Sequence, residues 1–190
     1  MALPTEKLYT VDEFEEFIVR PENRDRHFEL VNGTIVEKTM PTEEHSLIVN
    51  MWLYHLTDFA LKNGLGMPGP ESRFCVPGNY KNTRQPDISM IIDPDVPITI
   101  KGAATYAPDV IIAVKSPDDS YDDLREKAKF YIANGVKLVF LVFPRPKIIE
   151  VYRPDVPSEI LTIDDTIEGY DVLPGFRLPV VALFITKRSG

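Results

Sequence analysis

The apolar residues of this chain fall into short strand-like runs and longer helix-spaced stripes, and the two densest runs lie near the middle. Residues 88–92 (I-S-M-I-I) and 110–114 (V-I-I-A-V) are rich in β-branched side chains and bounded by Pro and Asp. That is the pattern of buried strands. Upstream, Val11, Phe14, Phe17 and Ile18 recur at helical spacing over 9–19. Thr10 and Glu13 stand in capping-box positions, and Pro21 closes the segment. Residues 27–31 and 34–38 flank Asn32-Gly33, which predicts a β-hairpin. The longest helix is expected over 41–61, where Ile48, Met51, Trp52, His55, Leu56 and Phe59 form one stripe and Asn63-Gly64 supplies the stop.

Residues 66–76 are Gly- and Pro-rich and become strand-like only at their end. Residues 93–107 form a long Pro-bearing loop, expected to act as a flap. Beyond the second central run, Ser120 can cap a helix reaching about residue 133, with Asp122 and Asp123 in its first turn. Strands at 137–143 and 148–152 flank P-R-P-K. Strand, helix, strand from 110 to 143 predicts a parallel crossover. The whole reads as an α/β chain, a mixed sheet flanked by helices with an N-terminal hairpin. It is expected to be a single domain, its core at about 28–152 and residues 153–190 packed on that core as an extension.

Composition narrows the class. The 190 residues are 44% hydrophobic, an ordinary globular value. No apolar run approaches the roughly 18 residues that span a bilayer. The opening M-A-L-P-T-E-K has no secretion-signal pattern. Cys75 is the single cysteine, which excludes an intramolecular disulfide and a multi-cysteine zinc site. A soluble, cytoplasmic protein without a membrane partner is expected. The net charge of −8 and pI of about 4.9 argue against gripping DNA through general electrostatics. Positive charge is local, at Arg20, Arg24 and Arg26 and at Lys81 and Arg84, and reads first as solvated loops.

Several residues sit oddly for pure packing. Asp87 opens the first central run and Lys115 follows the second. Burying either charge alone costs several kcal/mol, on the order of the penalty for unpaired buried ions, so the two are a salt bridge or part of a site. Glu29 falls in the first hairpin strand and reads as solvent-facing or as a site acid. His45 precedes the long stripe, where packing or capping competes with a place bordering a site, while His55 reads as a hydrogen-bonded core histidine. Glu71 precedes a strand and is placed to reach a site. Lys127 shares the inner face of its helix with Leu124, Ala128 and Tyr131, so it needs a partner or must snorkel.

The stretch Q-P-D-I-S followed by A-P-D-V-I-I-A-V-K-S-P-D-D resembles the PD-(D/E)XK nuclease superfamily. Pro86 and Asp87 match the first half of its signature. Ala113, Val114 and Lys115 match the second, except that Ala113 stands where the acid belongs. The text is more similar still to the bacterial putative restriction endonuclease family, which reads E-V-K-S-P-S-D here. F-E-L-V-N-G, the Lys127–Tyr131 spacing and D-V-L-P-G-F-R-L-P resemble that family too.

The resemblance implies a restriction endonuclease-like core and a metal-dependent endonuclease cleaving DNA phosphodiesters. Asp87 would hold Mg²⁺, or Mn²⁺ in its place, with Glu29 as auxiliary acid and the Val114 carbonyl as a further ligand. Lys115 would be the catalytic lysine and Lys127 an outer cation. His45, Glu71, Ala113 and Tyr131 would border the site, and restriction-type enzymes suggest a homodimer. Ala113 removes the central ligand, so strongly reduced activity is expected. The chain is a natural degenerate copy, carries an inactivating Glu-to-Ala change, or has moved the ligand to Glu71 or Asp109. The alternative is a non-catalytic relative that binds nucleic acid or a protein.

Overall fold

Local sequence signals set the boundaries of most elements. In the computed structural model, which describes residues 7–38 and 40–184, the order begins with α1 (Val11–Ile18), β1 (Phe28–Val31), β2 (Thr34–Glu37), α2 (Glu43–Asn63), β3 (Pro68–Pro70), β4 (Phe74–Cys75) and β5 (Thr83–Arg84). It continues with β6 (Ile88–Met90), β7 (Val110–Val114), α3 (Tyr121–Ala133), β8 (Leu138–Phe143), β9 (Ile148–Tyr152), β10 (Glu159–Leu161), β11 (Thr166–Glu168) and β12 (Arg177–Pro179). The Thr10–Glu13 capping box forms as expected, Thr42 and Ser120 cap α2 and α3, and Gly64 ends α2 in the left-handed conformation. The chain divides into two units.

The first unit takes the described part of Met1–Met40, with Arg73–Gln85 and Thr99–Ala107. Its four-stranded sheet runs β2-β1-β5-β4. The β1–β2 turn places Asn32 at φ +50° and Gly33 at φ +84°, the left-handed pair that an Asn-Gly hairpin requires. Phe14, Phe28 and Leu30 form its core. The 99–107 segment is tied in rather than free-standing, with Ala104 bridging to Phe74 and its N–H donating to the Arg73 carbonyl at 2.9 Å. Arg84 is buried, against the reading of a solvated loop, because β5 pairs on both edges.

The second unit takes Pro41–Ser72, Pro86–Ile98 and the described part of Pro108–Gly190. Its six-stranded sheet runs β10-β9-β8-β7-β6-β3, antiparallel except for the parallel β7–β8 pair that α3 connects. Alternation divides the sheet into two faces. Val110, Ile112 and Val114 join Leu138, Phe140 and Val142 in a core with Ile48, Trp52 and Leu56 of α2. The other face, with Leu141 and Phe143, carries α3. Residues 153–184 are integral to this unit: β10 extends the sheet, and Phe176, Leu178, Val180 and Leu183 lie in the core.

Two strand expectations needed adjustment. β6 stops at Met90, because the Ile92 N–H goes to the Asp109 carboxylate at 2.8 Å instead of a strand partner. The Pro-rich stretch supplies β3, an edge strand, where a missing N–H costs no ladder bond. Gly66, just before it, donates its N–H to the Ile92 carbonyl at 2.9 Å, and a Cβ there would lie 2.1 Å from the Ile91 oxygen.

Candidate active site

The register of the central strands decides which side chains meet. β6 and β7 pair Ile88 with Ile112 and Ser89 with Ile111. One step further sets Asp87 opposite Ala113, and there the Val114 N–H donates to Asp87 Oδ2 at 2.7 Å. On the other flank β3 pairs Pro70 with Ile88, so Glu71 follows beside Asp87 and its N–H donates to the Asp87 carbonyl at 3.1 Å. Glu71 is exposed and turns the chain out of the strand at φ +49°. Asp87 therefore lies between Glu71 and Ala113 across the sheet.

The parallel ladder pairs Ala113 with Leu141, which fixes Ala113 on the face that carries α3. Lys115 leaves β7 on that same face. Its Nζ donates to the carbonyls of Ser116 (3.0 Å) and Pro117 (3.4 Å) and lies 4.8 Å over the Tyr121 ring. Lys115 forms no ion pair with Asp87, so the simple salt bridge weighed from the sequence is not formed. Asp87 faces His45 instead: Nε2 lies 3.4 Å from Oδ2, ion-pair distance for a protonated imidazole. His45 is buried in the first turn of α2, its N–H held by Thr42 Oγ1. His55 does not follow expectation, since its buried Nε2 has no hydrogen-bond partner among the described residues and the ring packs edge-on to Tyr54.

The remaining candidates separate by unit. Glu29 belongs to the first, where it is buried and its Oε1 accepts the Gln85 N–H at 2.8 Å, so it is not solvent-facing. Lys127 is half-buried and Tyr131 fully buried on the inner side of α3. Asp109 is committed at the far end of β7, where Oδ1 pairs with Lys137 at 2.7 Å and Oδ2 holds Ile92, which rules it out as the displaced ligand.

The sequence reading missed a buried network on the α3 face. Glu150, buried in β9, takes a forked contact from Arg125 (2.6 and 3.1 Å) and the Tyr152 hydroxyl at 2.9 Å. Burial pushes the Glu150 carboxyl up, but Arg125 and Tyr152 together hold it below its ordinary range. Burial and that hydrogen bond push Tyr152 up to about 12. A single Glu in a strand gave no signal of this.

The donor set can be weighed against a hard divalent cation, which requires several oxygen ligands in near-octahedral array. Asp87 supplies one carboxylate, with Oδ2 already turned to Val114 and His45. Position 113 supplies none. Among the described residues no three His, Cys, Asp or Glu side chains gather in ligand geometry. These residues do not fit a firmly held Mg²⁺.

A family model, Uma2, described as putative restriction endonuclease, matches residues 11–181. The chain belongs to that family. The Uma2 match runs well past Tyr152, in keeping with the C-terminal strands lying in the core. The chain is also similar to a solved structure, a putative nuclease of family DUF820 from Anabaena variabilis, with a TM-score of 0.78 and 26% identity over 92% of this chain and 97% of that one. Its mixed α/β fold is thus nuclease-like. No curated protein matches. Among the described residues no helix is long and apolar enough to cross a membrane.

Proposed function

We propose that this Uma2 chain is a DNA endonuclease-type protein whose hydrolytic centre is disabled at position 113. The observation that carries the reading is the ladder register. It sets Ala113 opposite Asp87, with Lys115 on the same face, where the superfamily keeps an acid, an acid and a lysine. With a carboxylate at 113, the side chain would stand beside Asp87 and the two would complete a hard-cation donor pair. Lys115 would then offset charge on the phosphate and orient water. With alanine there, what remains is a strand-binding surface with very weak cutting at most.

The test compares this protein with its Ala113→Glu variant on plasmid and single-stranded DNA, in Mg²⁺ and in Mn²⁺. EDTA-sensitive cutting gained by the variant supports the reading. Failure of both forms to cut or to bind metal would reduce the likeness to one of fold and favour the non-catalytic relative. Sedimentation of the same samples, with and without DNA, tests the homodimer.

A further inference from the structure

A small open cleft of about 30 Å³, room for little more than a water-sized group, lies at the end of β7. Lys115 and Arg145 both line it, together with Ser116, Tyr121, Thr42 and Glu44. All belong to the second unit. Neither cation has a carboxylate within ion-pairing distance among the described residues. In a chain with 29 acids against 21 Lys and Arg, two cations converging on one cleft without a carboxylate partner is unusual.

Lys115 is held in place, and Arg145 stands on a restricted stretch of backbone. The Lys115 ammonium is fixed by two carbonyls and the Tyr121 ring, and that ring stacks at 5.2 Å on Phe143. Arg145 is exposed at the tip of the β8–β9 hairpin between Pro144 and Pro146, whose rings restrict the backbone there. The hairpin tip therefore has little backbone freedom to lose when an anion binds, and the exposed guanidinium can present its fork to it. Glu44 adds one negative charge, leaving the cleft at about +1, from Lys115 and Arg145 less Glu44. That balance suits a monoanion better than a dianion.

We infer that this cleft takes a phosphodiester of a nucleic-acid strand, with Arg145 as its forked ligand and Lys115 as the second cation. The inference deepens the proposed function and rests on it. It assigns strand binding to a residue outside the superfamily motif. The charge balance also favours an internal backbone phosphate over a terminal one.

The probe is a short labelled oligothymidylate without a terminal phosphate, titrated by fluorescence anisotropy over a range of salt. The proteins are the full chain, Arg145→Ala and Arg145→Lys. Arg145→Ala is expected to weaken binding roughly five- to tenfold and to flatten the log–log salt slope by about 0.7, one phosphate contact on a single strand. Arg145→Lys should keep the slope while losing part of the affinity, because charge survives and the fork does not. If the full chain binds and Arg145→Ala matches it in affinity and slope, the cleft assignment is overturned and the proposed function stands. If the full chain does not bind the strand, the proposed function fails and the cleft assignment fails with it. Equal competition by inorganic phosphate and by dimethyl phosphate would overturn the preference for a diester.

Discussion

Asp87, one residue before β6, holds the end of β7 by accepting the Val114 N–H on Oδ2 at 2.7 Å, and continuing the register of the two strands brings Ala113 alongside it. Ala113 is 5% exposed, so a carboxylate introduced there would be buried beside another. Without a cation, Ala113→Glu should be less stable than the parent by about 1–3 kcal/mol. Mn²⁺ or Mg²⁺ should restore its unfolding midpoint and EDTA should remove the gain. Urea unfolding with and without metal reads this directly. A variant as stable as the parent and indifferent to metal would mean the two side chains share no site.

Lys115 rests on carbonyls and a ring rather than on a carboxylate, so removing it orphans no buried acid. Lys115→Met should therefore change stability by no more than about 1 kcal/mol. Placed in the Ala113→Glu protein, it should lower cleavage by about a hundredfold or more. Single-turnover cleavage alongside thermal unfolding separates a chemical loss from a folding defect.

Glu150 provides a pH signature of the α3 face. Its folded pKa lies below the ordinary 4.5, so its contribution is present above that value and is lost as pH falls through the folded one. Glu150→Gln should cost about 1–3 kcal/mol near neutrality, since Arg125 and Tyr152 lose a charged acceptor. The gap between the two proteins should begin to narrow as pH falls below about 4.5 and vanish only below the folded value. The Tyr152 phenol, pushed up to about 12, should move part of the way back toward 10 in the variant, visible as phenolate absorbance.

Gly66 tests the edge of the sheet. Its missing Cβ leaves room for the Ile91 carbonyl, and adding one at 2.1 Å forces the backbone apart. Gly66→Ala should cost about 1–3 kcal/mol, the range for overpacking a close contact. A midpoint unchanged in urea would show that the β3 entry can shift at no cost.

Much of the fold was legible because its signals are local. The Thr10–Glu13 box, the Asn32-Gly33 turn, the α2 stripe and the run at 110–114 each carry their own geometry and formed where expected, while the run at 88–92 became a strand only as far as Met90. What stayed hidden depends on partners distant in sequence. Alternation pointed Glu29 outward, yet the Gln85 N–H gives it a reason to be buried. Nothing local links His45 to Asp87, or Arg125 to Glu150. The Pro68–Pro70 strand was obscured because its residues favour turns, and only an edge position admits them. Position 113 was legible as an anomaly, whereas its place opposite Asp87 had to come from the register.

The last third of the chain has a consequence for how the protein is made. Phe176, Leu178, Val180 and Leu183 lie in the same core as Trp52 and Leu56. While the ribosome is still adding these residues, the finished strands expose apolar surface and the β9 edge has yet to gain β10. The nascent second unit therefore cannot close vectorially from its N-terminal side. It must wait, open to misassociation, until nearly all of its sequence has emerged. Premature stops and C-terminal frameshifts should consequently yield insoluble or rapidly degraded fragments rather than trimmed but folded proteins.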